Sequence, residues 1–408
     1  MQLSGSIVLL LLASTAVALL AKRLRAPYIV ALVIAGLVLG VTGLIPAPRL
    51  TKNLLFALFL PGLLFDSSVR MEAEEFWRNR IPIFSLALPA VVAATALIAG
   101  ALVLLLRIVT PTSAIAWGPA IVFATLIAAT DPIAVVAIVR SLGAPSRLGV
   151  LIEGESLLND GTAAVSFTAA VAYVLGTSTG PLRIAGAFAY EIAGAVVIGL
   201  VIGWLTSRIM TWLEDAMLMI SVSVAAAYGA FILAELVHAS GVIATVTAGL
   251  LAGRHSVLEQ IDDEYRVGLR AFWEYVAFAL NSIVFLLIGF GANVAALASA
   301  WRPIVVAYVV VTVARIAVVY AVSAVMPKRQ RLPTRWTAIV SWSGLRGSMS
   351  MVLAISLPAA TPQRGLVVSM TLGVVLLSIL IQGLTVGPLL RRLHIGGDAP
   401  ALVHDNAG

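Results

Sequence analysis

Asp131 stands in the run Ala129-Thr130-Asp131-Pro132, with Ile, Val and Ala on both sides. A second acidic run, Glu153-Gly154-Glu155-Ser156-Leu157-Leu158-Asn159-Asp160-Gly161, sits between the apolar stretches 148–152 and 162–175. At membrane depth each ionised side chain costs at least about 2.5 kcal/mol, so these charges need a chemical reason. Proline removes an amide and clashes with the preceding turn, so a helix through Asp131 should break there. The break frees backbone carbonyls and exposes a half-helix N-terminus whose positive end suits a carboxylate. In the second run Ser156 and Asp160 share one helix face, while Glu155 and Asn159 share the adjoining strip. Carboxylate, hydroxyl and carbonyl oxygens are hard ligands suited to small cations, and the cysteine-free chain offers no thiolate alternative.

Asp66, Arg315 and Arg346 are further charges in apolar surroundings. An arginine stays protonated and needs a carboxylate partner or a wet cavity. The expected pairs are Glu155 with Arg315 and Asp66 with Arg346. Arg346 lies in Ser343-Gly344-Leu345-Arg346-Gly347-Ser348, where the glycines predict a second broken helix. Glu191, Glu235 and Glu274 fall near the ends of apolar stretches, where snorkelling or capping accounts for them.

The elements that must position these residues follow from composition. Of the 408 residues 61% are hydrophobic and 11% charged, and the mean hydropathy is +1.06. Soluble domains carry about 25% charged residues. Most of this chain therefore meets lipid, and its class is all-α and polytopic. Charged, Pro and Gly punctuation divides it into about thirteen apolar segments, near 5–21, 27–45, 54–66, 81–106, 114–139, 148–175, 184–206, 216–237, 240–253, 272–297, 303–326, 336–357 and 366–390. Lys and Arg number 18 after odd-numbered segments and 6 elsewhere outside the spans. That bias puts the N-terminus outside and the C-terminus in the cytoplasm. The first segment precedes its basic cluster, the reverse of a signal peptide, and reads as a retained helix.

Ala31–Gly40 aligns with Ala244–Gly253 in register, an offset of seven segments. An odd offset inverts the topology, as in many secondary transporters. The expected organisation is one transmembrane domain over residues 1–408: a first repeat at about 5–175, a linker helix at about 184–206 and a second repeat at about 216–390. Each repeat holds six helices, and the broken, crossing helices are the fifth and twelfth spans. Gly36/Gly40 and Gly249/Gly253 have the spacing that permits close helix contact.

Other classes fit less well. The four histidines (His238, His255, His394, His404) are too scattered for a metal site. The net charge of +7 contains no run of five or more like charges, so it argues for cytoplasmic loops rather than nucleic acid. No His-Glu-x-x-His motif or serine–histidine pair suggests a hydrolase. A channel needs a filter, whereas repeat-related broken helices with titratable acids favour alternating access.

Four stretches carry a family likeness: Ala129–Pro132, Glu153–Asp160, Phe285-Leu-Leu-Ile-Gly289 and Ser343–Ser348. With weaker echoes at Leu60–Asp66, Ala234–Gly241 and Val313–Arg315, the chain resembles the monovalent cation:proton antiporter-1 family, in its prokaryotic NhaP-type branch. The resemblance implies a homodimer in the cell inner membrane that exchanges Na+ (or Li+) for H+ without a cofactor, by an elevator-like core movement. It implies that Asp160 alternately binds cation and proton. Thr130, Asp131, Glu155 and Ser156 would complete the Na+ site, and Asn159, Arg315, Arg346 and Asp66 would support it. Asn159 in place of a second acid points to electroneutral, one-for-one exchange. K+/H+ exchange, exchange of another cation or solute, or a cation channel remain the alternatives. Gly62 stands where relatives often have proline, and Asp66 where many have Glu.

Overall fold

The computed structural model describes residues 2–24, 28–42, 55–71, 73–111, 114–176, 181–254, 261–291 and 294–395. His255 and His404 lie outside the described residues. Among those described, every regular element is helical. Lipid leaves no water to satisfy the backbone, so intrasegment hydrogen bonding is the form such apolar stretches take.

The first helices are α1 (Gln2–Leu24), α2 (Tyr28–Thr42) and α3 (Leu60–Arg70), the last entered through the π-turn Leu55–Phe59. The short α4 (Ala73–Arg78) leads into α5 (Arg80–Ala87) and α6 (Pro89–Val109). Next come α7 (Trp117–Leu126), α8 (Ile133–Ser141), α9 (Ser146–Val174) and α10 (Pro181–Met210). They are followed by α11 (Ala216–Leu236), α12 (Gly241–Ala252), α13 (Asp263–Phe290) and the short α14 (Val294–Ser299). The chain continues through α15 (Trp301–Val325), α16 (Thr334–Trp342), α17 (Ser348–Ser356) and α18 (Arg364–Leu377). A π-turn, Ser378–Gln382, joins α18 to α19 (Gly383–Arg392).

Six helical stretches among the described residues are long and apolar enough to cross a membrane. This is an integral membrane protein. The length of α9 is comparable, but its middle carries Glu153, Glu155 and Asp160. Several elements outrun their apolar stretches, the third and tenth expected spans among them. The third expected span continues to Arg70. The tenth begins at Asp263, where Asp263 and Glu264 occupy a first turn that favours acids. Apolar sequence marks the lipid-facing length, whereas helix extends wherever caps and charges allow.

Two packing groups form. In one, α3, α10, α11, α12 and α13 share a small-residue core with Ala226, Ala227, Ala230, Ala244 and Ala248. Lipid tails are as apolar as leucine, so helices associate here through close van der Waals approach, which small residues permit. α2 packs on α13 with Gly36 against the Leu286 carbonyl and Gly289 against the Val33 carbonyl. α12 packs on α3 with Gly249 against Ser68 and Gly253 against the Val69 carbonyl. The other group joins α6, α7, α9, α15 and α18 around Phe123, Leu151, Val319 and Val367.

Candidate functional site

The site is built where two helices stop mid-course. α7 ends at Leu126, and 127–132 run without regular structure until α8 starts at Ile133. Pro132 cannot donate an amide, which explains the break. α16 ends at Trp342, and 343–347 are unwound before α17. The two breaks touch: the Asp131 amide donates to the Leu345 carbonyl at 2.7 Å.

Four helix ends thus converge, and each is matched by a charge. The Asp131 Oδ1 accepts from the Ile133 amide at 3.1 Å, at the start of α8. The same carboxylate faces the Ser348 amide at the start of α17. Gly347 is required there, because a Cβ would overlap the Asp131 side chain. The carboxyl ends take arginines. Arg346 Nη1 donates to the Ala128 and Ala129 carbonyls at 2.9 and 3.2 Å. Arg315 Nη2 donates to the Val340 carbonyl at 3.1 Å in the last turn of α16. Amide ends carry partial positive charge and carbonyl ends partial negative charge, so this assignment of signs is favourable throughout.

Thr130 is held from α9. The Asn159 Oδ1 accepts from its amide at 3.3 Å, and Asn159 Nδ2 donates to its hydroxyl at 2.8 Å. The Ser156 hydroxyl donates to the Thr130 carbonyl. Glu155 faces away from this cluster. Both of its oxygens are engaged by the Arg315 guanidinium, the second at 2.7 Å.

A cavity of about 190 Å³ reaches this cluster, and Thr130, Asp131, Ser156 and Asp160 line it. Glu155 is absent from its lining. Its mouth carries Arg70 and the Arg140–Glu153 ion pair. Three buried oxygens in it lack a hydrogen-bond donor: Asp131 Oδ2, Asp160 Oδ1 and Asn281 Oδ1. Among the described residues no arginine or lysine forms an ion pair with Asp160. Buried acceptors normally find partners, so three unmatched ones in one cavity form a negative pocket suited to a small cation or a proton.

The Glu155–Arg315 pairing expected from sequence is present. The expected Asp66–Arg346 pairing is not. Asp66 pairs instead with Arg70, which lies four positions ahead on α3. The i,i+4 partner is preorganised by the helix and needs no second element to approach. Arg346 is occupied by carbonyls. Asn281 escaped the sequence reading, although an amide inside Phe278-Ala-Leu-Asn-Ser-Ile-Val-Phe285 was a visible signal.

Comparison with known proteins gives the family and the fold. The family described as "Sodium/hydrogen exchanger, transmembrane" matches residues 7–392. The chain is 33% identical over 389 residues to the Na(+)/H(+) antiporter NhaG of Bacillus atrophaeus, covering 92% of this chain and 72% of that one. It is 35% identical over 358 residues to the Na(+)/H(+) antiporter NhaP of Pseudomonas aeruginosa, covering 85% and 82%. Its fold matches the sodium proton antiporter MjNhaP1 of Methanocaldococcus jannaschii with a TM-score of 0.81 at 20% identity, covering 96% and 99% of the two chains. A family match over nearly the whole length, on a fold with paired helix breaks around buried acids, makes this chain a member of the sodium/hydrogen exchanger family.

Proposed function

We propose that the chain is a secondary antiporter that exchanges Na+ or Li+ for H+, and that Asp160 is the carboxylate that binds each in turn. The observation that carries this reading is the convergence of donor-free oxygens on one cavity around an acid with no basic partner. Thr130, Asp131 and Ser156 complete the ion's surroundings. Glu155, with both oxygens on Arg315, acts through the scaffold and not as a ligand. Asn159 fixes Thr130. Arg315 and Arg346 offset the carbonyl ends of the broken helices, and Asp66 holds Arg70 at the cavity mouth.

The same reading makes the helices α2, α3, α12 and α13 the stationary, dimer-forming part and the helices α7–α9 and α15–α17 the moving core. The reciprocal glycine contacts, α2 on α13 and α12 on α3, support two inverted six-helix repeats joined by α10. The Lys/Arg bias supports a C-terminus in the cytoplasm of a cell-membrane protein, and the cavity rimmed by Arg70 and Arg140 then opens to that side.

The test is proton movement driven by added sodium in proteoliposomes. Asp160→Asn abolishes it while the protein still elutes as a folded particle. Sodium-driven proton flux that persists in this variant overturns the assignment.

A further inference from the structure

Asn281 is 8% exposed, and its side-chain oxygen accepts no hydrogen bond. It lies on α13 and lines the cavity that holds Asp160. A buried carbonyl left unsatisfied is destabilising, so a group in this position needs a partner in some state of the protein. The wall that α3 and α13 contribute to the cavity otherwise consists of Leu63, Leu64, Ser67 and Arg70. Arg70 repels a cation and is already paired with Asp66. Asn281 is therefore the buried neutral oxygen that this wall offers to an ion.

We infer that Asn281 is a cation ligand supplied by the stationary part of the protein, so that the ion is bound jointly by two domains in the state described here. This rests on the antiport reading above and deepens it. An amide carbonyl is a hard, uncharged donor of the kind that replaces water around Na+ or Li+ without adding a titratable group. When the core moves relative to α13, Thr130, Asp131, Ser156 and Asp160 travel together and Asn281 stays. The contact therefore exists at one face only. Linkage sets the consequence. Weakening the ion at this face alone must shift the loaded core toward the other face by the same factor, because a substitution cannot change the equilibrium of coupled exchange.

The experiment measures the sodium dependence of exchange in inside-out and right-side-out membrane vesicles for wild type, Asn281→Leu, Asn281→Thr and Asn281→Asp. Asn281→Leu keeps the volume and removes the oxygen. It raises the half-saturating sodium concentration about tenfold at the face onto which this cavity opens, with a much smaller change in maximal rate and none at the opposite face. Asn281→Thr, which restores an oxygen, recovers part of the affinity, and Asn281→Asp recovers all of it. The lithium-to-sodium preference shifts in Asn281→Leu, which a packing defect does not produce. Equal shifts at both faces, an unchanged half-saturation, or a fall in maximal rate alone in all three variants overturns the inference. Wild-type exchange and its loss in Asp160→Asn serve as the reference: if they fail, antiport itself fails, and if they hold, the outcome concerns Asn281 alone.

Discussion

Removing Arg315 isolates the contribution of the ion pair behind the site. Its guanidinium donates to both Glu155 oxygens and to the Val340 carbonyl, so it joins α15 to α9 and to the end of α16. The side chains of Arg315 and Glu155 are 10% and 2% exposed. Arg315→Met leaves a buried carboxylate without its counter-charge, a change that typically costs about 3–5 kcal/mol. The Val340 carbonyl keeps its bond from the Ser343 hydroxyl at 3.0 Å, so the cost falls on Glu155. Against a total stability of about 5–15 kcal/mol, the loss is large. In detergent, Arg315→Met melts several degrees below wild type and accumulates poorly. Arg315→Met combined with Glu155→Leu recovers most of the lost stability, because a buried pair replaced by apolar groups of similar volume is often neutral. The double-mutant cycle therefore gives a coupling of about 2 kcal/mol or more. An Arg315→Met protein that melts within a degree of wild type and yet transports nothing refutes the scaffold role and places the pair on the ion itself.

Gly347→Ala puts a methyl group into the Asp131 carboxylate; it lowers exchange at least tenfold in a folded protein, as measured by sodium-driven proton flux, and full activity contradicts the assigned contact. Gly289→Leu forces α13 from the Val33 carbonyl of α2 and lowers the melting point, since overpacking costs about 1–3 kcal/mol. Gly229→Ala, where the added carbon meets nothing within 4 Å beyond its own helix backbone, is the control that leaves the melting point unchanged or raises it.

Much of this site was legible in the sequence because rare residue types in apolar runs have few physical explanations. Pro132 and the Gly344/Gly347 pair announced the helix breaks, and the spacing of Ser156 and Asp160 placed them on one face. The Glu155–Arg315 pair was accessible because each partner was a buried charge seeking an opposite one. The same logic failed for Asp66. Hydropathy ended its segment before Arg70, so the partner four positions along the same helix was counted as loop. Asn281 was invisible to a search for charges. An amide carries no formal charge, so its place in an apolar run was the one signal in the sequence, and the three-dimensional absence of a donor for its oxygen is what singles it out. Which helices share a cavity is a tertiary fact that neither periodicity nor composition contains.

The buried charges of the core determine whether exchange moves net charge. On the reading proposed above, the Asp66–Arg70 pair on α3 belongs to the stationary part and does not travel with the site. The Glu153–Arg140 pair is neutral as a unit, and so is Glu155–Arg315. What remains is Asp131, Asp160 and Arg346. Arg346 sits on the carbonyl end of α7 and Asp131 on the amide ends of α8 and α17, so each is held by helix ends of opposite sign and needs no bound ion. Their charges cancel. Asp160 is left as the one carboxylate to be neutralised before the core crosses, by a cation or by a proton, and Asn159 adds no second acid beside it. On this reading the loaded core carries the same charge in both directions, and the expected stoichiometry is one for one. A membrane potential imposed on proteoliposomes with valinomycin and potassium changes neither the sodium-dependent rate nor the point at which net exchange stops. A shift of that stopping point with the imposed potential means that a second charge crosses with the core, and the assignment of a fixed charge to Asp131 is the step that fails.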